Sequence, residues 1–261
     1  MLRLTRQNRA LLNHIGMRNM SESSSPRTLI IIPALNEEES ITRVIADVRQ
    51  QIPHADVLVV NDGSSDETGK RAEAAGAMVL HMPYNVGIGA SVQAGFQFAD
   101  KLGYDVVVRN DGDGQHDAAE ITRMLDVLAA GEADIVIGSR YIENRGYVGS
   151  PMRRIGSLIL ANLISLIVKQ RVTDPTSGFI VCNRHAIQAC AQLYPHDYPE
   201  PESIVLLHRA GIHMREMPVT MQPRIAGQSS ITTLRSIYYM IKVILAILVD
   251  LLRPIAAVST P

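Results

Sequence analysis

The chain has 261 residues, 46% of them hydrophobic and 20% charged, with a formal net charge of −1 and an isoelectric point near 6.7. That balance leaves no electrostatic footprint for nucleic acid, and the apolar content suits one full globular core rather than a disordered or fibrous chain. Two cysteines, Cys182 and Cys190, lie in a stretch of helix-like composition without His or Cys at metal spacing. They read as buried thiols of a reducing compartment, not as a disulfide framework.

In chain order, residues 1–19 hold Arg3, Arg6, Arg9 and Arg18 among apolar residues, without the long hydrophobic region of a secretory signal. With the polar linker that follows, residues 1–27 form a basic leader, either an amphipathic helix or an unstructured segment. Leu29-Ile30-Ile31-Ile32 is a continuous apolar run closed by Pro33, and Ile41, Val44, Ile45 and Val48 then recur at helical spacing. Val57-Leu58-Val59-Val60 predicts a second strand, ending in Asn61-Asp62-Gly63-Ser64-Ser65-Asp66, with a helix over 67–75 in which Asp66 acts as a cap. Met78-Val79-Leu80-His81 predicts a third strand, followed by a helix over 89–102. Val106-Val107-Val108 predicts a fourth, and after a helix over 118–130 comes Ile135-Val136-Ile137-Gly138. Strands alternating with helices imply an α/β, Rossmann-like fold: a mostly parallel sheet flanked by helices. Ligands bind such sheets beyond the carboxyl ends of the strands, where Asn36-Glu37, Asp62 and residues 111–115 fall.

The stretch Asp111-Gly112-Asp113-Gly114-Gln115-His116 carries the most chemistry, because its two carboxylates one residue apart offer hard oxygen ligands to Mg2+ or Mn2+. Such an ion keeps several waters and is usually completed by substrate phosphates, so the pattern points to a nucleoside diphosphate rather than a closed structural site. A solvated turn is the plainer alternative. A dinucleotide-binding oxidoreductase is disfavoured, since Pro33-Ala34-Leu35-Asn36 stands where its Gly-x-Gly-x-x-Gly would follow the first strand. A nucleotidyltransferase lacks its Gly-rich basic loop at the same place.

Five segments together, Ile32-Pro33-Ala34-Leu35-Asn36-Glu37, Val60 to Asp66, Asn85-Val86-Gly87-Ile88-Gly89-Ala90, Asp111 to His116 and Gly138-Ser139-Arg140-Tyr141, resemble glycosyltransferase family 2 in order and spacing. The trailing Gln-His of the acidic motif is similar to the dolichol-phosphate mannosyltransferase-like branch. The resemblance implies a GT-A fold over residues 28–232, an inverting transfer, and a nucleotide-diphosphate sugar as donor. It also implies roles. Pro33, Ala34 and Glu37 match the first nucleotide-contacting loop, Asp62 the carboxylate that contacts the base, and Asp111, Gly112, Asp113 and Gln115 the metal and diphosphate site. Asp111, Asp113 and Gln115 are the implied metal ligands. Arg140 matches the arginine after the next strand, and Arg224, Gly227 and Ser229 match a late loop that closes over the diphosphate, with Ser230 where the branch has Lys. Asp113, Arg140 and Arg224 are thus the candidate catalytic residues, because leaving-group charge calls for a cation and arginines. A surface salt bridge is the alternative for either arginine.

Relatives that act on a hydroxyl carry a Glu-Asp pair whose Asp is the general base, whereas Pro199-Glu200-Pro201-Glu202-Ser203 has Ser203 at that position. A phosphate acceptor is already anionic, so this favours a polyprenyl (lipid) phosphate. Glu202, or Glu200, remains a candidate substitute base, and both acids also suit the start of a helix near Pro201. The alternatives kept open are transfer to a sugar hydroxyl in polysaccharide synthesis and an inactive nucleotide-sugar-binding module. Two apolar stretches, 155–168 between Arg153-Arg154 and Lys169, and 237–252 between Arg235 and Arg253, fall short of the about 20 apolar residues of a membrane span. The region 233–261 therefore reads as an amphipathic, apolar C-terminal helix for a membrane interface or a contact between copies, placing the enzyme in the cytoplasm, peripheral at the inner membrane face.

Overall fold

The computed structural model describes residues 26–143, 151–222 and 233–253, with backbone alone for 151–153 and 233–239. The basic leader and the late loop with Arg224, Gly227, Ser229 and Ser230 lie outside the described residues. Strand β1, Thr28–Ala34, is buried along its whole length because helices cover both faces of the sheet. Side chains alternate across a strand, so Leu29 and Ile31 enter one apolar cluster while Ile30 and Ile32 enter the other.

The second cluster is completed by helices α1 (Ile41–Gln51), α2 (Thr68–Ala74) and α4 (Ala119–Ala129). α1 contributes Ile41, Val44, Ile45 and Val48, the four positions whose spacing predicts its buried stripe. The first cluster lies under α3 (Ile88–Lys101), α5 (Pro151–Val168), α6 (Arg184–Leu193), α7 (Pro199–Arg209) and α8 (Thr233–Leu252). Val243 and Ile247 of α8 are fully buried there, so the C-terminal helix belongs to the core it follows.

Strands β2 (Asp56–Asn61), β3 (Met78–His81), β4 (Val106–Arg109), β5 (Ile135–Ser139), β6 (Ile180–Cys182) and β7 (Met214–Pro218) complete a seven-stranded sheet in the order β3-β2-β1-β4-β6-β5-β7. All pairings are parallel except those of β6, which runs antiparallel to β4 and β5. The expected mostly parallel α/β sheet is present. One local expectation is corrected: Cys182 belongs to β6 and only Cys190 to a helix, because Ile180-Val181-Cys182 is drawn between two strands and buried on both faces. Both thiols are buried and free, and burial together with Cys190 pushes the Cys182 thiol well up.

No helix among the described residues is long and apolar enough to cross a membrane. α5 and α8 lie against each other and against α7. Their outer sides expose Ile155, Leu158, Ile159 and Leu166 on α5, and Ile241, Leu245, Leu248, Val249 and Leu252 on α8.

Candidate functional site

Three loops at the carboxyl ends of β1, β2 and β3 are stitched together by polar side chains. Asn36, with φ of 54°, takes a left-handed turn that asparagine tolerates; its N–H donates to Ser64 Oγ (3.0 Å) and its Oδ1 accepts from the Ser65 N–H (2.9 Å). The Glu37 N–H donates to Thr68 Oγ1 (2.8 Å) and the Glu38 N–H to Asp66 Oδ2 (3.2 Å). Asp66 Oδ1 also accepts from the N–H of Thr68 (3.0 Å), the first residue of α2; the N-cap itself is Glu67, so the expected capping role is corrected and Asp66 ties down the helix start from one position before the cap. Asp62 is buried, and its carboxylate accepts from the N–H groups of Val86 (2.8 Å) and Gly87 (3.1 Å). It therefore braces the loop that opens α3.

The acidic turn continues from β4. Gly112 packs closely on the first loop: a Cβ there would sit 3.2 Å from the Pro33 carbonyl oxygen, tighter than ordinary contact, and the buried Ser40 hydroxyl donates to the Gly112 carbonyl (2.7 Å). Asp113 Oδ1 accepts from the Gln115 N–H (3.0 Å). His116 stacks on Phe179 with ring centres 4.6 Å apart, and its Nδ1 accepts from the Asp111 N–H (3.1 Å). The ring proton is therefore inferred on Nε2, 3.6 Å from Asp111 Oδ2. Burial pushes the imidazole down against the pull of Asp111 and Asp113, so the neutral ring orients Asp111. Burial also opposes ionisation of Asp111, yet the Arg109 guanidinium beside it holds its carboxyl below the usual carboxylate range.

These elements enclose a cavity of about 430 Å³. Pro33, Ala34, Glu37 and Asp62 line it from one side, and Asp111, Gly112 and Asp113 from the acidic turn. Seven positions singled out in the sequence thus meet in one place. Gln115 is absent from the lining, and its carbonyl accepts from the Gln222 N–H (2.8 Å). Arg140 also stands outside the lining: its Nε and Nη2 each lie 2.6 Å from a different oxygen of Asp174, which has no exposed surface. From there its charge still reaches Asp111 and His116. Of the two glutamates, Glu200 lines the cavity, whereas Glu202 is buried and its charge meets Asp250 and Asp197 instead. Ser203 Oγ donates to the Glu200 carbonyl (2.9 Å), closing the first turn of α7.

Three participants escape sequence reasoning. Arg109, 2% exposed, donates to Tyr194 Oη (2.9 Å), Glu200 Oε1 (2.7 Å) and Asp111 Oδ1 (3.4 Å), joining the acidic turn to α7. An arginine closing an all-valine strand is the one signal that marks it. Asp174 holds Arg140, and Glu216 of β7 in turn accepts from the N–H groups of Thr173 (2.8 Å) and Asp174 (2.9 Å). Asp111 and Asp113 supply hard oxygens suited to Mg2+ or Mn2+, and no cluster of three His, Cys, Asp or Glu ligands forms among the described residues. That donor set fits an ion completed by substrate oxygens.

The family model for glycosyl transferase family 2 matches residues 29–190. A polyprenol monophosphomannose synthase of Mycolicibacterium smegmatis is 33% identical over 216 residues, covering 79% of this chain and 81% of its own. An undecaprenyl-phosphate mannosyltransferase of Micrococcus luteus is 32% identical over 219 residues, covering 79% and 88%. Among solved structures, glucosyl-3-phosphoglycerate synthase from Mycobacterium tuberculosis, in complex with Mn2+, uridine diphosphate and glucosyl-3-phosphoglycerate, superposes with a TM-score of 0.67 at 20% identity, over 89% of this chain and 82% of that one. At that identity the likeness speaks for the fold alone, which is the GT-A fold implied by the sequence. With the matched family model, the close relatives and the loop architecture in agreement, the chain belongs to glycosyl transferase family 2.

Proposed function

We propose that this chain transfers a sugar, with inversion, from a nucleoside diphosphate donor to a polyprenyl phosphate. The observation that carries the reading is the cavity where Asp62 meets Asp111 and Asp113 at the strand ends, in a chain one-third identical to a polyprenol monophosphomannose synthase. Asp111 and Asp113 would hold Mg2+ or Mn2+, with Gln115 beside them in the turn. When bound, the ion offsets charge on the departing diphosphate. Arg109 keeps Asp111 ionised and the neutral His116 orients it. Pro33, Ala34 and Glu37 shape the donor wall, and Asp62, while bracing residues 85–87, faces the nucleotide. Arg140 contributes its charge from the Asp174 pair, and Arg224 with Ser229 is assigned to the diphosphate by motif alone.

A phosphate acceptor needs no proton removed, which agrees with Ser203 bonded to the helix backbone and Glu200 engaged by Arg109. The apolar outer sides of α5 and α8, with Arg154, Lys169, Lys242 and Arg253 close by in sequence, suit an anionic membrane surface where such a lipid resides. The test is product chemistry. Incubation with a panel of UDP-, GDP- and dTDP-sugars and vesicles carrying undecaprenyl phosphate should yield an acid-labile, lipid-extractable glycosyl phosphate. An acid-stable glycoside made only with a sugar acceptor would replace this reading by the hydroxyl-acceptor one. Asp113→Ala should lower turnover by about 10²-fold or more with the fold intact. Undiminished turnover in EDTA would remove the metal from the scheme.

A further inference from the structure

Ser91 of α3 has no exposed surface, lines the cavity, and its Oγ has no hydrogen-bond partner. The same holds for Nε of Arg109, whose other nitrogens are engaged. Gly178 leaves room for that guanidinium, since a Cβ there would meet Nη2 at 2.7 Å. Buried polar atoms without partners are few in native proteins because each forfeits its hydration, so two of them on residues that line one cavity point to a ligand that completes them as it enters. Glu200, with 18% of its side chain exposed, brings a carboxylate to the same wall.

The mix of donors and acceptors decides the ligand class. A diphosphate only accepts and would be repelled by Glu200, whereas a hydroxyl both donates and accepts. Arg109 Nε–H donates, Glu200 accepts and Ser91 Oγ does either, a set complementary to neighbouring hydroxyls on a pyranose ring. We infer that Ser91, Arg109 and Glu200 form the subsite that reads the hydroxyls of the donor's sugar. This rests on the nucleotide-sugar reading given above. Arg109 has a second role, since its bond to Asp111 ties sugar recognition to the metal carboxylate.

Calorimetric titration in Mn2+ separates the two claims. Full-length wild type is titrated with UDP, GDP and dTDP and with their hexose conjugates. Binding of none of them overturns the donor reading itself. Where a conjugate binds, Ser91→Ala should weaken it by about five- to tenfold, leave the matching nucleoside diphosphate unchanged, and keep or raise the melting temperature, because the lost hydroxyl has no partner in the protein. Glu200→Gln should likewise weaken the conjugate selectively. Equal weakening of conjugate and nucleoside diphosphate, or no change in either with Ser91→Ala, overturns the subsite.

Discussion

Asp174 is wholly buried and meets the Arg140 guanidinium through two nitrogens, with the Arg140 N–H as a third donor (3.0 Å). Removing one partner of such a pair leaves the other charge desolvated and unmatched, so Asp174→Ala should cost about 3 kcal/mol in urea unfolding. A loss near zero would mean that water replaces the carboxylate. Glu202 poses the opposite case. Burial first, then Asp250 and Asp197, push its carboxyl up to about 7, with Arg253 only partly opposing them. Its folded value lies above its ordinary 4.5, so the stability it contributes is full below that value and is lost as pH rises through about 7. Glu202→Gln should therefore flatten the pH dependence of the melting temperature and melt higher than wild type at about pH 8. Parallel profiles for the two proteins would show that Glu202 ionises normally.

Helix α6 begins at an asparagine with two duties. Asn183 Oδ1 accepts from the Ala186 N–H (2.9 Å), and its Nδ2 donates to Asp134 Oδ1 (2.8 Å). Asn183→Ala should lower stability by about 1 kcal/mol. Asn183→Asp keeps the cap acceptor yet sets a second carboxylate beside Asp134, so it should be no better; full rescue by Asp would leave capping as the whole effect. Elements with a strong local signature were readable in the sequence. The first five strands are apolar runs because both faces are covered, and the helix stripe of α1 repeats at 3.6-residue spacing. β7, Met-Arg-Glu-Met-Pro, is an edge strand of mixed polarity, and β6 has three residues, so neither carries such a signature. The site divides the same way. Acids at strand ends could be read from neighbours in sequence, but the partnerships of Arg109 with Glu200 and of Arg140 with Asp174 join distant segments and exist only after folding.

On the scale of the whole molecule, the apolar sides of α5 and α8 make a surface whose proposed role is membrane contact. Flotation with vesicles rich in phosphatidylglycerol should carry wild type upward, and replacing Leu166, Leu245 and Leu252 together by Ser should abolish flotation while soluble donor binding persists. Flotation undisturbed by the triple change would move the contact elsewhere. A separate consequence comes from the reversed strand. Among the described strands β4 and β5 do not pair with each other, and β6 alone joins the β3-β2-β1-β4 half of the sheet to the β5-β7 half. During synthesis the first half can close as soon as β4 leaves the ribosome, because its pairings need only preceding chain. β5 has no strand partner in the chain that precedes it and must wait unpaired until β6 follows, which leaves an apolar edge open during that interval.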